Sequence, residues 1–204
     1  MKALFVAVLI CLPVALLKGQ GPRDPYQDVA PDLVRKVDLA KQKQLRGDPR
    51  QDDEAKSLLL DVLKSKPDYY RALYNLGLIY IAKNEAGKAV DVLTTAKAFW
   101  DTNDNLHDDS AILNTLGWAY LNNGNLDEAE RYLKQAYDMK TKNDPQQNER
   151  ILNNLGYLYL QEGKTTEARK FLDESKTQFN SSRANSILKL VNDYEERTKS
   201  KRKF

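Results

Sequence analysis

Apolar residues recur at spacings of three, four and seven in three separate stretches of the chain. Leu73, Leu76 and Tyr80 make the first set, Leu113, Leu116 and Tyr120 the second, and Leu152, Leu155 and Tyr159 the third. Positions i, i+3 and i+7 share one side of a helix with about 3.6 residues per turn, so each stretch predicts a helix with an apolar face. A glycine follows the second leucine every time: Gly77, Gly117 and Gly156. Glycine inside a helix costs about 1 kcal/mol relative to alanine, which implies that another helix approaches closely there. Nine residues after each tyrosine stands Ala89, Ala129 or Ala168, followed by Leu93, Leu133 or Leu172, and then by Ala96, Ala136 or Ser175. These residues predict a second helix, whose first alanine is expected to meet the glycine. Asn84, Gly124 and Gly163 each precede that alanine by five residues and suit the left-handed conformation that ends a helix. The unit is a helix, a tight turn and an antiparallel helix, used three times.

The flanks extend the pattern. Ala55, Leu59 and Val62 repeat the second-helix spacing before Pro67, while the preceding helix, near 33–45, lacks the glycine and the tyrosine. Asp48-Pro49 lengthens the turn between them, and residues 32–67 are read as an atypical amino-terminal helical pair. The three full units occupy 68–100, 110–141 and 149–180. After them, Asn180-Ser181-Ser182 offers helix-starting side chains. Ala184, Ile187, Leu188, Val191 and Tyr194 then form an apolar stripe. Stacked repeats leave their last apolar face open, and a helix over 181–197 is expected to cover it. Residues 198–204 are read as a basic tail.

The Leu-x-x-Leu-Gly-x-x-Tyr and alanine pattern resembles the tetratricopeptide repeat family over residues 68–180. That resemblance implies an all-α fold, an α-solenoid of antiparallel helix pairs with a C-terminal capping helix. The family's usual period is about 34 residues. Here Leu76 to Leu116 is 40 and Leu116 to Leu155 is 39, with the extra residues at 101–109 and 142–148. The longer period is similar to that of kinesin light chain type repeats, as is Asn153-Asn154-Leu155-Gly156. The large aromatic expected at the first marked position is leucine in all three units.

By resemblance, the first helix of each unit lines a concave face. The first unit then presents Arg71, Tyr74, Asn75, Leu78 and Ala82, and the second Ala111, Asn114, Thr115, Trp118 and Asn122. The third presents Arg150, Asn153, Asn154, Tyr157 and Gln161. An asparagine amide donates and accepts together, so Asn75, Asn114, Asn153 and Asn154 can form a ladder for the backbone of an extended peptide. Leu78, Trp118 and Tyr157 occupy equivalent positions and make an apolar stripe, while Arg71 and Arg150 suit acidic side chains. The same asparagines can instead bridge neighbouring repeats, and Trp118 and Tyr157 can pack on the adjacent unit. The lysine–asparagine carboxylate clamp of chaperone-binding relatives is not matched, since Tyr74 and Leu78 hold its positions. Tyr80, Tyr120 and Tyr159 are read as core.

Composition narrows the function. The 204 residues are 41% hydrophobic and 30% charged, enough apolar content for a core. One cysteine and one histidine exclude His/Cys metal clusters and disulfide frameworks. Met1 and Lys2, an uncharged run over 3–17, and Lys18-Gly19-Gln20-Gly21 together read as a signal peptide over 1–21. That run is shorter than the ~20 residues a bilayer span needs, although an uncleaved anchor is the alternative. Leu9 and Ile10, rather than small residues, precede Cys11 and argue against lipidation. A proline-containing linker, 22–31, follows. Removal of the signal leaves a nearly neutral, cysteine-free chain, which disfavours nucleic acid and favours the periplasm.

Catalysis finds no support in the pattern: Cys11 lies in the signal, His107 in a loop, and Asp127-Glu128 at the start of a helix. The acidic stretch 101–109 lacks the alternating oxygen ligands and central glycine of a calcium loop, and Phe99-Trp100 is expected to tuck beneath it. The tail offers peripheral contact with anionic lipid. The expected protein is an exported, non-enzymatic scaffold without cofactor or metal, holding a peptide or extended protein segment in its groove. The alternative is a subunit of a cell-envelope assembly machine (pilus, outer-membrane protein or cytochrome biogenesis) acting through other surfaces.

Overall fold

Helix starts in this chain are written by short local signals. Pro31, Pro49 and Pro145 each stand in a first helical turn, where the missing N–H is not needed and the fixed φ suits the helix. The Asp48 side chain accepts from the Arg50 backbone N–H at 2.9 Å, and Asp144 does the same for Gln147 at 2.9 Å. The computed structural model describes residues 29–101, 110–140 and 144–201. Among these it has nine helices and no strand: α1 (Pro31–Gln44), α2 (Pro49–Ser65), α3 (Tyr70–Ala82), α4 (Ala86–Asp101), α5 (Ser110–Asn122), α6 (Leu126–Asp138), α7 (Pro145–Gln161), α8 (Thr165–Phe179) and α9 (Ser182–Lys201). The signal segment, the linker up to residue 28, the acidic stretch 102–109, residues 141–143 and the tail beyond 201 lie outside the described residues.

Each hairpin turns on the residue the pattern marks. Asn84, Gly124 and Gly163 have φ of 57°, 81° and 73°. Behind each, the repeat tyrosine's carbonyl accepts a backbone N–H from five residues on: Glu85 to Tyr80 at 2.8 Å, Asn125 to Tyr120 at 3.0 Å, and Lys164 to Tyr159 at 2.8 Å. A second bond joins each turn residue to the carbonyl three before it, completing a Schellman closure of the helix end. The tyrosine thus serves the turn through its backbone and the hairpin through its ring. Tyr120 stacks on Tyr132 at 5.5 Å, and Tyr159 on Phe171 at 5.6 Å. Tyr80 and Tyr159 are buried and Tyr120 is half-buried.

The glycines do face the paired helix closely, and the side chain nearest to each is the following leucine rather than the alanine. A methyl group on Gly77 would lie 2.5 Å from Leu93 Cγ, and one on Gly117 2.7 Å from Leu133 Cγ; Gly156 faces Leu172 in the same way. Antiparallel arms bring together positions similarly far from the turn. Gly77 is seven residues before Asn84, while Ala89 is five and Leu93 nine after it, so distance from the turn does not choose between them and the rotation of the second helix brings Leu93 to the glycine. Leu93, Leu133 and Leu172 are fully buried with Leu76, Leu116 and Leu155. Each such side chain removed from water contributes roughly 1.5–3 kcal/mol.

The layers stack in a regular order. Each helix packs on the next in sequence, and α1, α3, α5, α7 and α9 also touch one another in series. No two even-numbered helices are in contact among the described residues. The odd-numbered helices therefore form the tighter, inner layer and the even-numbered ones the outer layer of a curved α-solenoid.

Two boundaries differ from the sequence reading. Helix α7 begins at Pro145, inside the stretch 142–148 read as an insert, because Asp144 and Pro145 together start it. Helix α9 continues to Lys201, four residues into the stretch read as tail. Its apolar stripe covers the last repeat as expected, with Ala184, Ile187 and Val191 buried. The Ser181 hydroxyl accepts from the Ala184 N–H at 3.1 Å and caps it. Among the described residues no helix is long and apolar enough to cross a membrane.

Candidate functional site

The inner layer holds a groove of about 350 Å³ across α3, α5, α7 and the first turn of α9. Helix α3 contributes Tyr74, Leu78 and Ile81, and α5 contributes Asn114, Thr115 and Trp118. Gln147, Arg150 and Asn154 come from α7, and Arg183 from α9. On α3 and α7 the contributors are separated by three or four residues, about one helical turn, while α5 adds the adjacent pair Asn114 and Thr115 and, one turn on, Trp118.

Contacts between neighbouring repeats set the shape of that face. Asn154 donates from Nδ2 to Asn114 Oδ1 at 2.9 Å, bridging α7 and α5. The Tyr74 hydroxyl lies 3.2 Å from Thr115 Oγ1, joining α3 to α5. Trp118 and Tyr157 meet with ring centroids 5.7 Å apart, tilted by 55°. On Trp118 also lies the Arg183 guanidinium, its Cζ 5.2 Å from the ring centroid.

Ala82 and Ala111 do not line this groove, and of the other thirteen residues expected there seven do: Tyr74, Leu78, Asn114, Thr115, Trp118, Arg150 and Asn154. The other six stand elsewhere for identifiable reasons. Arg71 pairs with Asp38 of α1 at 2.9 Å. Asn75 is buried and donates to the Arg71 carbonyl of its own helix at 2.6 Å. Asn153, only 2% exposed, donates to Ser181 Oγ at 3.1 Å and accepts from Ser175 Oγ at 2.9 Å, so it ties α7 to α8 and the cap. Asn122 donates to the Trp118 carbonyl at 2.9 Å at the exposed end of α5. Tyr157, half-buried, packs its ring on Trp118, and Gln161 is exposed at the end of α7. A continuous asparagine ladder is therefore not formed; a single pair, Asn114 and Asn154, remains in the groove.

Three lining residues escaped the sequence reading. Ile81 follows Leu78 by one turn on the same face, a spacing that was available to it. Gln147, buried and donating to the Ser110 carbonyl at 3.4 Å, fell in the presumed insert. Arg183 belongs to the cap, which no repeat register reaches.

The outer layer has different electrostatics. Lys134 pairs with Glu130 at 2.6 Å, Lys140 with Glu174 at 2.8 Å, and Arg169 of α8 with Glu195 of α9 at 2.9 Å. The Lys134 ammonium, with the Tyr159 hydroxyl donating at 2.9 Å, holds the Glu130 carboxyl below the ordinary carboxylate range. Burial, and then the neighbouring Glu130, push the Tyr159 hydroxyl up.

Comparison with known proteins agrees with this architecture. Two family models described as tetratricopeptide repeat match residues 53–142 and 114–183. No curated protein matches the chain in sequence. Among solved structures, the Cut9-Hcn1 hetero-tetramer of APC/C is similar with a TM-score of 0.68 and 20% identity, over 78% of this chain and 30% of that one. The chain thus spans less than a third of that protein's length. PilF of Pseudomonas aeruginosa gives a TM-score of 0.61 at 19% identity, covering 80% and 73% of the two chains. The TPR-like repeats of a putative kinesin light chain from Podosopora anserina give 0.60 at 20% identity, over 83% and 97%.

Proposed function

The chain belongs to the tetratricopeptide repeat family, a fold of protein–protein interaction scaffolds, and from that premise we propose that it binds an extended segment of a partner protein in its concave groove. The observation that carries this reading is the asparagine pair beside Trp118. Asn154 Nδ2 bonds Asn114 Oδ1, so the Asn114 amide N–H groups and the Asn154 side-chain carbonyl are not used by that bond, although the two residues are only 4% and 6% exposed at the groove wall. One donor and one acceptor are what a single peptide unit requires. Trp118 supplies an aromatic anchor next to them, and truncation of such an anchor typically costs about 2 kcal/mol of binding. Leu78 and Ile81 give the apolar floor on which a partner side chain rests.

The proposal includes export and the absence of catalysis. The charged start, the short apolar run and the small residues of 1–21 support delivery across a membrane, with the periplasm as destination. Mass spectrometry of the native protein's amino terminus checks this: a start near residue 20 or 22 supports cleavage, and a retained Met1 in the membrane fraction replaces it with an anchor.

The groove itself is tested by a photo-crosslinking residue placed at position 78, or at exposed position 170 on α8, in the full-length chain. Adducts to a partner from position 78 alone support the groove. Adducts from position 170 alone move the binding surface outward and favour the envelope-machine subunit, which acts through other faces.

A further inference from the structure

The charge of the groove is one-sided. Its described lining contains two cations, Arg150 and Arg183, and no carboxylate. Neither arginine forms an ion pair among the described residues, whereas Arg71 has Asp38 and Arg169 has Glu195. The first turn of α9 carries no acidic residue beside Arg183. In a chain of 32 basic and 29 acidic residues, two guanidinium groups in one concavity with no carboxylate partner among the described residues gather positive charge there.

Arg183 is also held in a useful posture. A guanidinium 5.2 Å from the Trp118 ring centroid engages the aromatic through its charge and flat surface. Its N–H donors lie in its own plane, and they remain free to grip a carboxylate in fork geometry. Contact with the ring restricts the rotamers that a ligand would otherwise have to freeze, which lowers the cost of ordering this long, exposed side chain.

We propose that the groove selects an acidic segment. An aspartate or glutamate side chain of an extended partner peptide is held by Arg183 and Arg150, while its backbone meets the Asn114–Asn154 pair. This deepens the groove reading above and rests on it. It also gives α9 a second role, since the helix that closes the repeat stack supplies a recognition residue. Acidic protein is the class the site favours over nucleic acid, because the donors stand beside an apolar floor and an amide pair rather than in an extended basic track.

The test uses the purified full-length protein and two fluorescent dodecapeptides, followed by anisotropy at low salt. One alternates Glu and Asp with Leu and Tyr; the other carries Gln and Asn in place of the acids. The acidic peptide is expected to bind roughly tenfold more tightly, the scale expected for charge-assisted contacts from two exposed guanidinium groups at low salt. Arg183→Gln and Arg150→Gln should each remove most of that preference. Arg183→Lys should not restore it, because an ammonium lacks the planar fork. Lys189→Gln, at an exposed site on the same helix, should leave the preference intact, and circular dichroism confirms that each variant is folded.

Equal binding of the two peptides, with both lost in Trp118→Ala, would overturn the acidic selection and keep the groove. Full preference retained in both arginine-to-glutamine variants would overturn it too. Displacement of the acidic peptide equally well by a single-stranded oligonucleotide would show an unselective anion surface instead. Failure of both peptides to bind the native protein would remove this inference and the groove reading together.

Discussion

Adjacent residues in α7 divide the molecule into two regimes. Asn153 turns toward the cap, where Ser175 and Ser181 use its donor and its acceptor and little of it meets water. Asn154, about 100° around the helix, turns toward α5 and keeps part of its hydrogen-bonding capacity at the groove. A similar contrast separates the groove's two arginines from several cations elsewhere. Outer cations such as Lys134, Lys140 and Arg169 have carboxylate partners, while Arg150 and Arg183 in the groove have none among the described residues. Groups closed on one another stabilise the stack; groups left open are the ones available to a partner.

The strongest way to break this division is to force the hairpin apart beneath it. Gly117 faces Leu133 so tightly that its added side chain also meets the Leu133 backbone nitrogen at 3.1 Å. Gly117→Val is expected to lower the unfolding free energy by about 3 kcal/mol, the upper range for overpacking. Urea denaturation followed by circular dichroism measures it, and loss of all partner binding should accompany the loss of structure.

A sharper cut separates the two asparagines. Asn153→Leu should cost roughly 2 kcal/mol, because it strands the buried Ser175 hydroxyl and removes one of the two bonds to Ser181 Oγ, yet partner capture by the folded fraction should persist. Asn154→Ala should cost about 1 kcal/mol of stability and weaken capture clearly. Equilibrium denaturation paired with a crosslinking yield reads both effects, and identical behaviour of the two variants would erase the distinction.

Much of this arrangement was legible in the sequence because it recurs. Leu76, Gly77 and Tyr80 repeat at the same offsets in three units, and a packing constraint that acts three times leaves its mark three times. What was not legible has physical causes. Asn153 and Asn154 are the same residue type one step apart, and only the rotation of α7 against its neighbours decides which is closed and which is open. The glycine's partner depended on the rotation of the second helix, which brings Leu93 rather than Ala89 to it. Pro145 belonged to a helix start whose signal, Asp144-Pro145, matched Asp48-Pro49 but was read as a connection. Arg183 lies outside every repeat, so no comparison between units could point to it.

A smaller effect comes from the outer layer's charges. Glu130 titrates below its ordinary value of 4.5 because Lys134 and Tyr159 favour the carboxylate. Its contribution is therefore present above the unfolded-state value and is lost as pH falls through the lower, folded-state one. Stability should decline on acidification below about pH 4.5, and Glu130→Gln should flatten part of that decline while leaving the groove's peptide binding near neutrality unchanged. Thermal melts across pH 3 to 7 give the slope.

The most direct measurement is a nuclear magnetic resonance titration of the isotope-labelled full-length protein with the acidic dodecapeptide. The account predicts that the Trp118 indole N–H, the Asn154 side-chain amide and the Arg183 Nε–H shift together, with the outer faces of α4, α6 and α8 unmoved. Shifts confined to those outer faces, or their absence at saturating peptide, would contradict it.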